Sequence, residues 1–463
     1  MPPVGGGLNI KKEVNMISND IFREYDIRGV YPDTINEDAA YTIGRAFASY
    51  IDTDTVLVGR DNRLSSPAIH DNLIRGLNDS GANVIDIGIV TTPMYYFAKK
   101  REGIKNSIQI TASHNPKEYN GLKISFNPNY ASFGDEIRDF KKFIDQGNFK
   151  EGTGTVRELD IRDDYAENIK NSLVFGDRKP RIVVDCANGT GSTIIKEVMS
   201  KLPIECDFLY CESDANFPNH HPDPAVTKNQ EDLAKRVVEL GYDMGFGVDG
   251  DADRCGIVDE KGNIYIADYY MTLMYRYLYN KLDERKAFFD VKCSKTLPDE
   301  LERLGYTYEI TRTGAPYTVN KTNNDHLVFG GEFSGHFAYT DRYIGIDDGI
   351  YSGLRIAEML SYTDRPLSSL FNGLNRYFST EEIMYPVEDF RKPEIVETVK
   401  KYCDDKGYKY VDVDGVRVLF DDGWALVRAS NTTPNLTIRF EASTEERLKE
   451  IQDEFTNYLD SIK

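Results

Sequence analysis

The sequence predicts an α/β protein of several similar-sized domains, and three observations predict it. At four places a helical stretch ends at a glycine and a β-rich stretch follows: "LNDSGANVIDIG" at Gly81, "VVELGYDMGFGVD" at Gly241, "LERLGYTYEITRTG" at Gly305 and "YCDDKGYKYVDV" at Gly407. A glycine just past a helix adopts the left-handed conformation without a Cβ penalty, so each stretch reads as helix, cap, strand. Such alternation points to α/β units rather than to separate helical and sheet blocks. The 463 residues suit about three or four domains at roughly 100–200 residues each. A hydrophobic share of 40% is ordinary for a chain that buries real cores.

The elements follow in order. "FREYDIRGVYP" (22–32) offers Arg23, Tyr25 and Arg28 near the start. "GRDNRLSSPAI" (59–69) reads as a strand end running into a helix, with Pro67 suited to its first turn. "NSIQIT" (106–111) reads as a strand that delivers Ser113 and His114 at its end, before the turns at Asn115-Pro116 and Asn120-Gly121. "FKEGTGTVRELD" (149–160) is an irregular joint, "VDEKGNIYIADYY" (258–270) a strand turn leading into a helix, and "RYFSTEEIMYPVED" (376–389) the opening of the last segment. Domains are therefore expected at 16–157, 158–264, 265–375 and 376–463, after a flexible leader over 1–15.

The net charge of −20 argues against a nucleic-acid or anionic-membrane partner. No run approaches the ~18 apolar residues of a membrane span, and the start lacks a signal-peptide core. The six cysteines (Cys186, Cys206, Cys211, Cys255, Cys293, Cys403) form no C-x-x-C pair, which suits reduced thiols in a cytoplasmic protein. The N-x-T sequons at Asn431 and Asn435 then carry little weight.

Four stretches carry chemistry. "YDMGFGVDGDADRCGIV" places Asp249, Asp251 and Asp253 in the loop beyond a buried strand. Ligands in open α/β sheets bind at such strand ends. Three carboxylates this close repel unless a cation or protons compensate, and an all-oxygen donor set favours Mg²⁺, Ca²⁺ or Mn²⁺. An EF-hand loop is excluded, because Arg254 stands where it needs glycine and the entering segment is strand-like. "GGEFSGHFAY" carries Glu332, Ser334 and His336 at alternate positions, which in an extended segment face one way. That face suits neighbouring sugar hydroxyls. "RASNTTPNLTIRFEA" is a polar turn before a strand; Arg428 can fork onto a phosphate, and Ser430, Asn431, Thr432 and Thr433 supply hydroxyl, amide and backbone donors. Around Ser113 no G-x-S-x-G occurs, and His114 is only its neighbour, so the usual hydrolase setting is missing.

Taken together and in order, "TASHNP", "DGDADR", "GEFSGH" and "RASNTTPNLTIRFEA" resemble the phosphoserine, metal, sugar and phosphate loops of the α-D-phosphohexomutase superfamily, in its phosphomannomutase/phosphoglucomutase branch. The resemblance runs from about Phe22 to the end. It implies four domains around a central cleft, the first three of similar α/β mixed-sheet topology and a smaller α+β C-terminal domain. It implies that Ser113 carries a phosphoryl group, and that Asp249, Asp251 and Asp253, with an oxygen on Ser113, hold one Mg²⁺. Glu332 and Ser334 would grip the sugar's O3 and O4, and Arg428, Ser430, Asn431 and Thr432 the non-reacting phosphate. Tyr25, Arg28, His114, Lys123, Arg254, Lys292 and His336 would line the site, with Lys123 and His336 as proton-handling groups. The chain departs from many dual-specificity members of that family at "RTGAPYTVNK", which carries Ala315-Pro316 where they read Gly-His after "RT".

The implied reaction interconverts mannose 6-phosphate and mannose 1-phosphate, and the glucose pair, through a hexose 1,6-bisphosphate that is both intermediate and activator. A phosphoglucosamine mutase is the nearest alternative, a metal-dependent phosphatase a second, and a calcium-binding module a third. The partners expected are small-molecule hexose phosphates, with no nucleic acid and no membrane, and the sequence assigns no oligomeric state.

Overall fold

The structure is a computed structural model that describes residues 17–128, 131–282, 284–430 and 435–462. Asn431 and Thr432, two of the expected phosphate ligands, and the expected leader lie outside the described residues.

The first sheet has six strands in the order Ile27–Val30, Tyr119–Ser125, Asn106–Ile110, Thr55–Arg60, Asn83–Ile89 and Val156–Glu158. Its first two ladders are antiparallel and the rest parallel. The central strands are buried on both faces, which is why "TVLVGR" and "NSIQI" lack polar alternation. The second sheet runs Ile264–Tyr265, Cys255–Asp259, Met244–Val248, Arg181–Asp185 and Glu205–Leu209, parallel over the last three. The third unit pairs Lys286–Asp290 with Thr307–Thr311 in parallel and Phe329–Gly331 with Phe337–Tyr339 antiparallel. The fourth is an antiparallel sheet, centred on Gly423–Ala429 and Asn435–Ala442. Helices Lys392–Lys406 and Glu445–Ile462 share its core.

All four punctuating glycines have positive φ: +89° at Gly81, +60° at Gly241, +73° at Gly305 and +69° at Gly407. The expected breaks at 157/158 and 264/265 run through elements, since Val156–Glu158 completes the first sheet and Ile264–Tyr265 edges the second, while the break at 375/376 falls between elements.

The cores explain how the units are held. One continuous core joins the inner face of the first sheet to the second and third units. The outer face of the first sheet and the fourth sheet each have a core of their own. Residues singled out in the sequence sit where strands run out: Ser113 after Asn106–Ile110, Asp249 after Met244–Val248, Lys292 after Lys286–Asp290, Glu332 after Phe329–Gly331 and Ser430 after Gly423–Ala429. The strand-end rule thus operates in each unit and brings the loops together.

Candidate active site

Ser113 is buried and takes a left-handed backbone conformation, φ +50°. A serine in that region costs energy and persists only where its surroundings over-determine it. The surroundings here are Arg63, itself buried, whose guanidinium donates to the carbonyls of Ser113 (2.8 Å), Asn115 (2.7 Å), Pro116 (2.7 Å) and Tyr119 (3.0 Å). Asp61 holds that guanidinium at 3.2 Å. The Ser113 hydroxyl donates to Asp249 Oδ2 at 2.9 Å and lies 3.2 Å from His114 Nδ1. Burial, then the cationic Arg254 and Arg28, hold the His114 imidazole well below its usual pKa.

The acidic loop meets this serine from the second sheet. A Cβ on Gly250 would lie 2.5 Å from the Ser113 carbonyl oxygen, so the approach requires glycine. Asp249, Asp251 and Asp253 are completely buried, and one oxygen of each lies within 4.8 Å of the others. Burial, then the charges of Asp253 and Asp251, push the Asp249 carboxyl far up. Burial would raise Asp251 as well, but Lys123 and Thr92 outweigh it and hold that carboxyl low. Lys123 Nζ stands 2.5 Å from Asp253 Oδ2 and 3.2 Å from Asp251 Oδ2. Asp251 Oδ1 and Asp253 Oδ1 accept no hydrogen bond. A buried, all-oxygen, electron-rich cradle with two uncommitted oxygens fits a hard divalent cation.

Asp253, His336 and Asp347 converge in the same way. Here Arg254 Nε–H donates to His336 Nε2 at 3.0 Å, so the imidazole proton sits on Nδ1 and is donated to Asp347 Oδ2 at 2.8 Å. With Nδ1 committed as a donor, this second cluster is an oriented histidine rather than a metal cradle.

The sugar-loop expectation needs a correction. Glu332, Ser334 and His336 do not lie along an extended segment. They form the turn of a hairpin between Phe329–Gly331 and Phe337–Tyr339, which reverses at Gly335 (φ +95°). The three side chains converge nonetheless: Ser334 Oγ–H donates to Glu332 Oε1 at 2.9 Å, and His336 Nε2 lies 3.8 Å from the same oxygen. Glu332 Oε2 accepts the Gly314 N–H at 2.7 Å, which ties the hairpin to the departing loop. Ala315-Pro316 there opens a helix, Ala315–Asn324.

The remaining expected residues close the far side. Arg28 donates to Asn115 Oδ1 at 2.7 Å and pairs with Asp26. Lys292 pairs with Glu382 at 3.0 Å, joining the third and fourth units. Tyr25 O–H donates to the Thr313 carbonyl at 2.6 Å. Arg428 is buried, and the Ser430 carbonyl accepts from Lys392 at 2.6 Å. One cleft of about 610 Å³ is lined by Tyr25, Arg28, Ser113, His114, Lys123, Arg254, Lys292, Glu332, Ser334, His336, Arg428 and Ser430. Side chains from all four units therefore face a single space.

Sequence models of phosphoglucomutase/phosphomannomutase match the whole architecture in order: alpha/beta/alpha domain I over residues 19–148, domain II over 163–262, domain III over 267–377 and the C-terminal domain over 382–457. The chain belongs to the phosphoglucomutase/phosphomannomutase family. It is 39% identical over 450 residues to a phosphomannomutase/phosphoglucomutase of Pseudomonas syringae pv. tomato, covering 96% of each chain. It is 32% identical to a probable phosphoglucosamine mutase of Methanopyrus kandleri, covering 94% of this chain and 96% of that one. The crystal structure of a phosphoglucomutase/phosphomannomutase family protein from Burkholderia thailandensis superposes with a TM-score of 0.88 at 35% identity, covering 96% and 98% of the two chains.

Several residues of this family member escaped the sequence reading. Thr92 and Thr111 hydroxyls donate to Asp251 Oδ2 at 2.6 and 3.1 Å. Asn62 ties the first unit to the second through Thr190 (3.2 Å) and the Asn188 carbonyl (2.9 Å). Arg63 and Asp347 act on Ser113 and His336 as described above. "GRDNR" carried a signal, two arginines and an aspartate at a strand end, but nothing in it named the loop that Arg63 holds.

Proposed function

We propose that this family member is a phosphohexomutase that interconverts mannose 6-phosphate with mannose 1-phosphate, and glucose 6-phosphate with glucose 1-phosphate, through phosphoserine at Ser113. The observation that carries this reading is the Ser113 hydroxyl, 2.9 Å from Asp249 Oδ2, at a cleft to which all four units contribute. An Mg²⁺ bound by Asp249, Asp251 and Asp253 would supply charge neutralisation for the transferring phosphoryl group.

The residues present supply the rest. Arg63 sets the backbone of the Ser113 loop, so the Ser113 oxygen points at the cleft before substrate arrives. Glu332 and Ser334 orient the sugar through neighbouring hydroxyls, and Arg428 and Ser430 anchor its remote phosphate. In the first half-reaction the phosphoserine P–O bond breaks and a P–O bond forms to the free sugar hydroxyl. The hydroxyl's proton ends on the freed Ser113 oxygen; Lys123 and His336 are the proton-handling groups at the cleft, and His336 Nε2 takes part by releasing its hydrogen bond from Arg254 Nε. The hexose 1,6-bisphosphate then turns. In the second half-reaction Ser113 Oγ attacks the other phosphoryl group, the P–O bond to the sugar breaks, and the Ser113 proton ends on the sugar oxygen that is freed.

The test is a coupled assay with mannose 1-phosphate, glucose 1-phosphate and glucosamine 1-phosphate, with and without Mg²⁺. The expected result is turnover of the first two that depends on hexose 1,6-bisphosphate. Preference for glucosamine phosphate would move the enzyme to the phosphoglucosamine mutases, and steady release of inorganic phosphate would make it a phosphatase.

A further inference from the structure

Asp414 lies in the tight turn between strands Lys409–Val411 and Val416–Phe420 of the fourth unit. It is not among the residues that line the cleft. Its Oδ2 nevertheless makes three contacts. It accepts Arg428 Nε–H at 3.1 Å and lies 3.0 Å from Nη2 of the same guanidinium in an ion pair within its own unit, and it accepts the Thr313 backbone N–H at 3.0 Å from the third unit. The carbonyl of the same Thr313 accepts the Tyr25 hydroxyl of the first unit at 2.6 Å. One residue, Thr313, is thus held from both sides by two different units.

The local sequence builds this contact. Gly415 has φ +81°, and a Cβ there would fall 2.5 Å from the Arg428 Cβ. The turn lies flat against Arg428 because residue 415 has no side chain. Both Asp414 and Arg428 side chains are about nine-tenths buried, at 10% and 7% exposed, so the pair works in a poorly solvated place where a charge-assisted bond counts for more than at the surface. By taking Nε and Nη2, the carboxylate fixes the guanidinium plane and leaves Nη1 outside the pair.

We infer that Asp414 is a positioning residue that aims Arg428 at the remote phosphate and couples that aim to closure of the cleft at Thr313. The inference rests on the phosphohexomutase reading. Its consequence is that the carboxylate that aims Arg428 also docks the fourth unit on the third. When those units part, the Thr313 N–H leaves the carboxylate, and the Asp414–Arg428 pair, both members in the fourth unit, moves away from the third unit as a body. A bisphosphate intermediate is then retained while the units are together and released when they part.

Binding and turnover together test it. Calorimetric titration with glucose 1-phosphate compares the wild type with Asp414→Ala, Arg428→Ala and the double variant. Asp414→Ala should weaken binding about tenfold or more, the scale of a lost charge-assisted hydrogen bond. The double variant should bind no worse than Arg428→Ala alone, because Asp414 acts through Arg428. In turnover, Asp414→Ala should raise KM more than it lowers kcat and should release hexose 1,6-bisphosphate, read by phosphorus NMR. Hydrogen exchange should show the peptide that contains Thr313 losing its ligand-induced protection. Asp414→Asn, which keeps the shape and one acceptor, should fall between wild type and alanine, and it replaces the alanine variant if that fails to fold. Unchanged binding in Asp414→Ala, or an equal weakening whether or not Arg428 is present, overturns the inference and leaves the mutase reading standing. A wild type that binds no sugar phosphate overturns both.

Discussion

Ser113 and Asp251 show how much a single side chain carries here. Ser113 holds φ +50° under the grip of Arg63, and alanine tolerates that backbone about as well as serine does. Ser113→Ala should therefore fold and lose at least about a thousandfold in turnover, as the loss of a nucleophile does. Intact-mass analysis should find phosphate on the wild type and none on the variant, and phosphopeptide mapping should place it on Ser113. Asp251 is held ionised among three buried carboxylates by Lys123. Asp251→Asn loses the Lys123 pair but leaves Lys123 with Asp253 and keeps an acceptor for Thr92 and Thr111, so it should fold with a modestly lower melting temperature. Its Mg²⁺-dependent turnover should drop about a hundredfold or more, the scale of a lost metal ligand in charge neutralisation. A titration of activity against Mg²⁺, with chelator added to the wild type as control, separates the two effects. Both residues were legible in the sequence because their neighbours along the chain made motifs. Arg63 was not, because its partners lie 50 to 56 residues away.

At the scale of an element, the helix Gly349–Leu360 is the support beneath the acidic loop. It is buried along its whole length, and Gly349 N–H donates to the Ala252 carbonyl at 3.0 Å. Its start is fixed by Asp348, whose Oδ1 accepts the Tyr351 N–H at 2.8 Å while Oδ2 accepts the hydroxyls of Tyr165 (2.8 Å) and Tyr343 (2.5 Å). Asp348→Ala removes a cap and leaves two core hydroxyls without a partner. The cap is worth about 1 kcal/mol, and each buried unpaired hydroxyl costs about 1–3 kcal/mol. Thermal unfolding should show a large loss for alanine and a small one for Asp348→Asn, which keeps an acceptor. The helix ends at Gly81, Gly241, Gly305 and Gly407 were readable from the alternation of helix, glycine and strand, whereas the Asp348 cap was not read. The hairpin that carries Glu332 was not, because period-two spacing at Glu332, Ser334 and His336 describes an extended strand and a tight turn equally well until Gly335 bends the chain.

For the whole molecule, the question is which sugar the assembled cleft prefers. Mannose and glucose differ only at C2. Glu332 is held by Gly314 N–H and Ser334 and is proposed to read O3, with Ser334 on O4. A cleft that reads only O3, O4 and a phosphate separates the epimers weakly, whereas a buried polar partner for O2 would separate them strongly. The values of kcat/KM for mannose 1-phosphate and glucose 1-phosphate should therefore lie within roughly two orders of magnitude. Glu332→Gln should impair both together. A defect confined to one epimer, or a wider preference in the wild type, would reveal a group that reads O2. The Ala315-Pro316 departure bears on this directly, since both residues line the cleft and neither offers a hydrogen-bond donor from its side chain.

The sequence by itself determined the alternation of elements, the four positive-φ glycines, the oxygen-only triplet and the order of four motif loops that marks the family. Each of these is a relation between residues close in the chain, where backbone geometry and residue chemistry act at fixed spacing. Only the tertiary structure decided that Arg63 wraps the Ser113 loop, that Asp347 fixes the His336 proton on Nδ1, and that Asp414 meets Thr313 across two units. Those contacts join residues brought together by sheets and shared cores, and an arginine or aspartate in a loop carries no mark of its partner until the loops converge.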